Sequence, residues 1–420
     1  MDYKATLDFA KEMDQQDALR GYRNQFFIPK MNGTEVIYFT GNSLGLQPKS
    51  VKDYLQTELD DWANHGVEGH FHAKNPWYFY HHTTSKALAK IVGANESEVC
   101  AMNTLSVNLN ILMVSFYRPM GAKRKILIEQ NAFPSDIYAV EQQIKFHGGD
   151  PKTDMIIMPV TDINERIDND ALIAKIEANR DELALVMIGG VNYYTGQVFD
   201  MKRIAEACHK NNVVIGYDLA HAVGNIELQL HDWGVDFATW CSYKYLNSGP
   251  GGVSAIFVHE KHGENPNLPR FAGWWGNDEN TRFTIPKNFI PQKGAAGWQM
   301  SNAQILPLAA HRASLEIFEQ AGMKALRAKS LQLTGYLEFL VNQLNQLTIL
   351  TPTNPDERGC QLSLVANSAY GKELHNYLTE KGVIADWREP NVIRVAPAPL
   401  YNSFEDVFRF YEILCAFPKF

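Results

Sequence analysis

The fold of this chain can be inferred from residues 213–252, VVIGYDLAHAVGNIELQLHDWGVDFATWCSYKYLNSGPGG. The pattern predicts an apolar strand that ends at Asp218, with His221 three residues later. A second predicted strand leads to Lys244 and a glycine-rich turn. In open α/β sheets, ligands lie beyond the carboxyl ends of the strands, where both Asp218 and Lys244 fall. The stretch therefore predicts a ligand site at one edge of a parallel sheet.

Short apolar runs of the same kind extend this pattern in both directions along the chain. Predicted helices at 168–180 and 201–212 separate several of them. The predicted strands lie within 125–129, 155–160, 183–191, 213–220, 236–242 and 254–259. Continuous apolar strands are typical of burial on both faces, and their alternation with helices indicates layers. We therefore predict an α/β fold whose large domain has a mainly parallel sheet.

The remainder of the chain differs in character from this central part. Residues 261–302 are rich in proline and glycine, which is more typical of active-site loops than of a linker. A long helical pattern follows from 304 to about 345, and then short strands and helices that predict a smaller α+β domain. We predict an N-terminal segment, 1–64, that packs with the small domain, a large domain, 65–302, and a small domain, 303–420.

Composition excludes several classes of protein. The 420 residues are 45% hydrophobic and 20% charged, which excludes general disorder. A net charge of −8 disfavours binding to nucleic acid or anionic lipid. The acidic start is unlike a signal peptide, and no apolar run is long enough to span a membrane. Five scattered cysteines without a C-x-x-C pair indicate reduced thiols. These features predict a cytoplasmic protein with no membrane or nucleic-acid partner.

Lys244 and Asp218 together point to pyridoxal phosphate chemistry. Alone, such a lysine is ordinarily a surface residue, and a strand-end aspartate is often a helix cap. As a pair they supply a Schiff-base amine and a carboxylate that keeps the pyridine nitrogen protonated. The glycine signatures of nucleotide sites, G-x-G-x-x-G and G-x-x-x-x-G-K-[ST], are absent from the sequence.

Eight segments in the same order resemble the kynureninase family of fold-type I pyridoxal phosphate enzymes. They are GNSLGLQPK, NTLSVNLN, FPSD, YYTGQ, DLAHAVGN, LHDWGVDFATWCSYKYLNSGPGG, WQMSN and IRVAPAPLYNS, from Gly41 to the C-terminal region. The resemblance implies hydrolysis of L-kynurenine, or 3-hydroxy-L-kynurenine, to anthranilate, or 3-hydroxyanthranilate, and L-alanine. It implies a role in tryptophan catabolism or NAD biosynthesis, and a homodimer with active sites at the subunit interface.

The resemblance also implies roles for single residues of the cofactor site. Lys244 is the expected Schiff-base lysine and a general base, and Tyr243 is expected to contact the phosphate and assist proton transfer. Asp218 is expected to pair with the pyridine nitrogen, beside His221. The other cofactor-binding residues implied are Leu105 and Ser106 at a helix start, Phe133, Pro134, Ser135 and Asp136 in the FPSD segment, and Trp274 and Asn302 in the irregular region.

Four residues are implied in substrate binding. Arg394 suits the α-carboxylate, because guanidinium pairs with carboxylate through two hydrogen bonds. Ser43, His70 and Asn302 match positions near the substrate. One departure is Gly189, where members of the family often carry a serine near the cofactor phosphate. We expect another group or water to replace that hydroxyl.

Histidines at 70 and 72 and at 81 and 82 could suggest a metal. No cysteine or third ligand lies nearby at a typical spacing, so we predict no metal site.

Two alternatives stay open from the residues alone. A related fold-type I enzyme such as a cysteine desulfurase-like lyase needs a nucleophilic cysteine on a mobile loop, and neither Cys360 nor Cys415 lies in such a sequence. A non-catalytic module would be expected to have lost the lysine or the aspartate. The sequence does not indicate which of the two kynurenines is preferred.

Overall fold

The structure is a computed structural model that describes residues 2–284 and 287–420. The helices are α1 Leu7–Gln16, α2 Val51–His65, α3 Gly69–His72, α4 His82–Val92, α5 Leu105–Phe116, α6 Pro134–Phe146, α7 Pro151–Asp154, α8 Asn169–Ala178, α9 Met201–Lys210, α10 Glu260–Gly263, α11 Ile305–Ala321, α12 Met323–Val341, α13 Gly371–Glu380 and α14 Phe404–Cys415. The strands are β1 Lys30–Met31, β2 Thr34–Glu35, β3 Ile37–Tyr38, β4 Val99–Ala101, β5 Lys125–Glu129, β6 Met155–Met158, β7 Leu183–Gly189, β8 Val214–Asp218, β9 Phe237–Trp240, β10 Ala255–Val258, β11 Leu347–Ile349, β12 Leu362–Ala366, β13 Val383–Ile384, β14 Asp386–Arg388 and β15 Val392–Val395.

The central sheet has seven strands in the order β4-β10-β9-β8-β7-β5-β6. Strands β5 to β9 are parallel to one another, as predicted from the apolar runs. Strand β10, however, is antiparallel to both β9 and β4. The segment between β9 and β10 carries Lys244 and contains no crossover helix, so the chain returns in the opposite direction. The predicted α/β class is confirmed, with one reversed strand in a mixed sheet.

A second, smaller sheet is antiparallel throughout and has the order β11-β12-β15-β14. Its core is shared with helices α12, α13 and α14 and with Ala10 and Met13 of α1. The sequence of residues 7–27 predicts one helix, but helix α1 is shorter. It ends at Gln16, because the Asp17 carboxylate accepts a hydrogen bond from Leu19 N at 2.8 Å and turns the chain.

The long helical pattern after residue 304 forms two helices, α11 and α12, which are separated at Gly322. Gly322 has φ of 75°, a conformation that ends a helix and that suits glycine. Leu308 and Leu315 of α11 belong to the core around the large sheet, whereas Leu333 and Leu337 of α12 belong to the small one. Helix α11, predicted within 303–420, thus packs on the large sheet, and the domain limits stay a prediction.

Buried Glu58 on α2 holds this part of the large domain together. Its carboxylate accepts hydrogen bonds from Trp77 Nε1 at 2.9 Å and the Tyr80 hydroxyl at 2.7 Å. Arg312 on α11 lies 3.5 Å from the same carboxylate. Over the described ranges, no helix combines the length and the apolar character that crossing a membrane requires.

Candidate active site

A cavity of about 270 Å³ lies at the carboxyl ends of β5, β7 and β8, beside the segment that follows β9. This is the sheet edge that the sequence predicts for a ligand. The cavity is lined by Asn42, Ser43, Leu105, Ser106, Glu129, Phe133, Ser135, Asp136, Gly189, Val191, Asn192, Tyr193, Asp218, Ala220, His221, Cys241, Tyr243, Lys244, Arg388 and Arg394.

Lys244 and His221 are in direct contact in this cavity. The distance from Lys244 Nζ to His221 Nε2 is 3.0 Å, and Lys244 Nζ lies 5.9 Å from the centre of the Phe133 ring. Burial, followed by the charge of Lys244, lowers the pKa of His221 well below its usual value. His221 is therefore neutral and can accept a hydrogen bond from the lysine ammonium at Nε2. Its buried Nδ1 has no protein partner within the described ranges, so it is free to bond a ligand.

Two buried carboxyl groups, Asp136 and Asp218, line the cavity together with Lys244, and each influences the pKa of the other. Asp218 is the last residue of β8, and its Oδ1 accepts from Ala220 N at 2.8 Å. Burial and the charge of Asp218 raise the pKa of Asp136 well above its usual value. Burial also raises the pKa of Asp218, but Lys244 and the Asp136 hydrogen bond oppose that rise. Asp136 therefore keeps the shared proton and Asp218 carries the negative charge.

The start of helix α5 forms another wall of the cavity. Leu105 and Ser106 are its first two residues and line the cavity. Thr104 is the N-cap residue, but its side chain makes no capping hydrogen bond, contrary to our expectation of a hydroxyl cap. The first backbone N–H groups of the helix and the Thr104 hydroxyl are thus available to an anion.

Aromatic side chains face each other above the lysine. Phe133 is the N-cap residue of α6, and its ring makes an edge-to-face contact with Tyr193 at 5.3 Å between centroids. Phe133 is 41% exposed, which is unusual for a phenylalanine and leaves a ring face available for stacking. Ser135 also lines the cavity, whereas Pro134 begins helix α6 and is not part of the lining.

Arg394 on β15 brings a guanidinium group into the cavity although only 1% of the residue is exposed. Its Nη1 donates to Tyr193 O at 2.7 Å, and Nη2 is paired with the Asp386 carboxylate. Ser43 Oγ donates to the same carboxylate at 2.9 Å, and Arg388 lies 3.0 Å from it. Burial would raise the pKa of Asp386, but the two arginines outweigh it and lower the pKa.

The segment around Ser43 is fixed against the lysine segment by backbone contacts. Gly45 N donates to Tyr243 O at 2.8 Å, and Asn247 Nδ2 donates to Leu46 O at 2.9 Å. A Cβ at Gly45 would lie 2.3 Å from Lys244 O, so only glycine permits this approach. The motif GNSLGLQPK, which contains Gly45, and the motif that contains Lys244 and Asn247 are thus parts of one structural unit.

Three residues expected at the site do not line the cavity within one chain. Trp274 is 52% exposed and donates from Nε1 to Arg282 O at 3.3 Å. Asn302 is exposed in the segment before α11. His70, half-buried on α3, contacts Trp77 edge-to-face at 5.6 Å. All three lie on surface segments of the chain, so their expected roles stay a prediction.

Gly189, the expected departure from the family, lines the cavity. Gly189 ends β7, pairs in register with Asp218, and its N–H donates to Glu129 Oε1 at 3.0 Å. Which group replaces a serine hydroxyl at this position stays a prediction.

The sequence spacing around His81 and His82 gave no third ligand, and the absence of a metal site stays a prediction. Glu279, distant in sequence, lies 3.3 Å from His82 Nε2 and forms a group with both histidines.

Sequence reasoning missed several residues of the cavity. Glu129 ends a predicted strand, which is the signal that identified Asp218 and could have identified it too. Tyr193 lies in the YYTGQ motif, and Asp386 and Arg388 lie in the predicted strand VIADWR. Charged residues in a strand near Arg394 were a usable signal, but nothing local indicated that they face the cavity.

The cavity fits pyridoxal phosphate, since a lysine amine, a buried acid pair, an exposed ring face and a free helix start surround one space. Residues 326–414 match the family model "Kynureninase C-terminal domain". A kynureninase of Flavobacterium psychrophilum is 53% identical over 419 residues, 99% of this chain and 98% of the relative. A kynureninase of Myxococcus xanthus is 52% identical over 415 residues, 98% of this chain and 97% of the relative.

Solved structures of other enzymes share the fold at low sequence identity. The cystine C-S lyase C-DES, in complex with its reaction product cysteine persulfide, has a TM-score of 0.76 and 18% identity, covering 91% of this chain and 98% of that one. A cysteine desulfurase from Thermococcus onnurineus NA1 has a TM-score of 0.73 and 16% identity, covering 90% and 94%. These likenesses concern the fold alone, whereas the near full-length relatives share half of the sequence: the chain belongs to the kynureninase family.

Proposed function

We propose that this chain hydrolyses the Cβ–Cγ bond of L-kynurenine, or of 3-hydroxy-L-kynurenine, in the cavity around Lys244. The products are anthranilate, or 3-hydroxyanthranilate, and L-alanine. The observation that carries the proposal is the arrangement of Lys244, the Asp136–Asp218 pair and Arg394 around one cavity. Together these groups can hold the cofactor, keep its ring nitrogen charged and bind the carboxylate of an amino acid.

Pyridoxal phosphate, when bound, withdraws electrons from the amino acid and so labilises bonds at Cα and Cβ. Lys244 holds the cofactor and, once released by the substrate amine, moves the proton at Cα. Asp218 supplies the negative charge opposite the ring nitrogen, and Asp136 fixes that charge through the shared proton. His221 keeps Lys244 Nζ in place through their 3.0 Å contact.

Tyr243 lines the same cavity and acts as a proton donor. Burial raises the pKa of Tyr243, so its hydroxyl keeps its proton at neutral pH. A protonated phenol beside Lys244 can donate a hydrogen bond to the phosphate. It can also give a proton to Cβ after the Cβ–Cγ bond is cleaved. Leu105 and Ser106 present helix N–H groups to the phosphate, and Phe133 stacks on the ring with Ser135 at its edge.

Arg394 binds the substrate α-carboxylate through its guanidinium group. In the ligand-free chain Asp386 occupies that guanidinium, with Ser43 and Arg388 on the same carboxylate. These contacts fix the orientation of the guanidinium, and a substrate carboxylate takes the place of Asp386 or uses Arg394 Nε, which has no partner among the described residues. Ser43 Oγ lies 3.3 Å from Arg394 Nη2, so this hydroxyl belongs to the carboxylate end of the substrate and not to the aromatic end that the resemblance implies.

We further propose that the active enzyme is a homodimer and that Trp274, Asn302 and His70 act at the subunit interface. The supporting observation is a group of exposed aromatic and apolar side chains around Trp274, a pattern that often marks an interface. They include Phe71, Phe79, Phe271, Phe283, Phe289, Ile290 and Met300. Sedimentation of the wild type as a monomer would contradict this part of the proposal.

A cytoplasmic location fits the chemistry of the cysteines. All five are free thiols, and four of them are buried. A reducing compartment keeps such thiols in this form.

The function is tested with the purified chain, pyridoxal phosphate and each kynurenine. Anthranilate fluorescence should appear together with stoichiometric L-alanine, and specificity constants for the two substrates establish the preference. Release of sulfide from cysteine, with no anthranilate, would instead support a desulfurase-like lyase.

A further inference from the structure

Glu129 is a third buried carboxyl group in the cavity, beyond the pair Asp136 and Asp218. It ends strand β5, is 4% exposed, and lines the cavity together with that pair. Its Oε1 accepts from Gly189 N at 3.0 Å. Its Oε2 is buried and has no partner among the described residues. An unpartnered oxygen in such a place is costly unless a ligand completes it.

Gly189 makes room for this carboxyl group. A Cβ at position 189 would lie 3.1 Å from Glu129 Oε1 and 3.6 Å from Val191 O. A serine at 189 would therefore press on the Glu129 carboxyl. Glu129 can therefore occupy this position because residue 189 has no side chain.

We propose that Glu129 is a positioning residue that stays protonated and donates a hydrogen bond from its carboxyl group to the ring edge of bound pyridoxal phosphate. The acceptor is the phenolic oxygen of that ring, because the Asp136–Asp218 pair interacts with the ring nitrogen instead. The proposal depends on one part of the proposed function, namely that pyridoxal phosphate binds in this cavity.

The surroundings of Glu129 favour the neutral acid. Burial raises its pKa to about 7: the hydrogen bond from Gly189 opposes that rise, and the charge of Asp218 adds a smaller increase. The titratable and charged groups that share this cavity with Glu129 are Asp136, Tyr193, Asp218, His221, Cys241, Tyr243, Lys244, Arg388 and Arg394. A second negative charge beside Asp218 would compete with it for the ring nitrogen, so the proton on Glu129 keeps the cluster singly charged.

Glutamine reproduces the hydrogen-bonding pattern of a protonated glutamate, with one acceptor and one donor, but does not titrate. The test compares the affinity of apoprotein for pyridoxal phosphate between pH 6 and pH 8.5 in wild type and Glu129→Gln. The control is Glu182→Gln, which changes an exposed glutamate paired with Lys125 before β7. Circular dichroism of each apoprotein checks folding.

Wild type and E129Q should bind equally at pH 6, within about threefold. Above pH 7 the wild type loses the proton that it donates, so its affinity should fall about 30-fold more than that of E129Q by pH 8.5. E182Q should follow the wild type. Superimposable pH profiles for wild type and E129Q would overturn the proposal. So would an E129Q protein that fails to fold or that binds tenfold more weakly at pH 6, since the amide should replace the neutral acid.

These outcomes are separable from a failure of the proposed function. The readout is cofactor binding, so it holds whether or not kynurenine is the substrate. If anthranilate is not formed but the two profiles differ as expected, Glu129 keeps its role and only the reaction is reassigned.

Discussion

Lys244 Nζ lies 3.0 Å from Nε2 of a histidine, His221, that is held neutral by its surroundings. The histidine is brought there by β8 and the lysine by the segment after β9, two neighbouring strands of the sheet. This contact aims the amine into the cavity before any ligand is present. Pre-positioning of this kind is what covalent catalysis by lysine requires.

Replacement of Lys244 by alanine should abolish turnover. The variant loses both the covalent anchor of the cofactor and the base at Cα, so kcat should fall about 1,000-fold or more. The visible absorbance of the covalently bound cofactor should also disappear. Lys202→Ala, on an exposed face of α9, is the matched control and should behave as wild type. Full hydrolytic activity in K244A would reject the assignment of this cavity.

Replacement of Arg394 should act mainly on substrate binding. Arg394→Gln loses a charged, two-pronged partner for the α-carboxylate, so kcat/KM should fall about 100-fold. Arg394→Lys keeps the positive charge but lacks the two parallel N–H donors of the guanidinium, so it should recover only part of the lost kcat/KM. Steady-state kinetics with kynurenine measure both, and Arg180→Gln at an exposed surface is the control. An unchanged KM in R394Q would place the carboxylate elsewhere, with Arg388 as the next residue to test.

The fold and the places of Asp218 and Lys244 could be predicted because their signals are local, whereas the other site residues came from the resemblance to the family. Apolar runs are enough to place β5 to β9, and a polar residue after each run marks the cavity edge, as Asp218 does. The reversal of β10 could not be predicted from apolarity, since strand direction depends on the connection. Glu129 and Asp386 were missed for another reason. The role of Glu129 depends on Gly189, 60 residues away along the chain, and Asp386 meets Arg394 only because strands β14 and β15 pair in the folded structure.

Stability toward acid should depend on Asp236, which lies outside the active site. Its carboxylate is 4% exposed and contacts His262 Nε2 at 2.7 Å, Lys261 Nζ at 2.8 Å and His209 Nε2 at 3.3 Å. Burial would raise the pKa of Asp236, but these partners outweigh it and hold the pKa far below the usual value. A depressed folded-state pKa stabilises the protein above the unfolded-state pKa near 4, and that stability is lost as the pH falls below it.

Asp236→Asn should therefore lower the free energy of unfolding by about 3 kcal/mol at pH 7, because three donors lose their charged acceptor. The difference from wild type should shrink as the pH falls below about 4. Urea unfolding at several pH values measures this, with the exposed Asp232→Asn as control. A constant difference between the two proteins from pH 7 to pH 3 would contradict the explanation.

The two ends of the chain should prove to be energetically coupled through Asp14. Its carboxylate, on α1, accepts from Phe404 N at 2.8 Å and Glu405 N at 2.9 Å, the first two N–H groups of α14. These donors have no partner within their own helix, so Asp14 caps a helix almost 400 residues away along the chain. Asp14→Ala should lower the free energy of unfolding by about 1 to 2 kcal/mol.

The control for Asp14 is Glu12→Ala, an exposed position on the same helix that leaves α14 untouched. Hydrogen exchange at the amides of Phe404 and Glu405 separates a lost cap from a general loss of stability. In Asp14→Ala these two amides should exchange faster than the amides in the middle of α14, whereas Glu12→Ala should leave them protected. Equal acceleration throughout α14 would mean that Asp14 stabilises the small domain by packing rather than by capping.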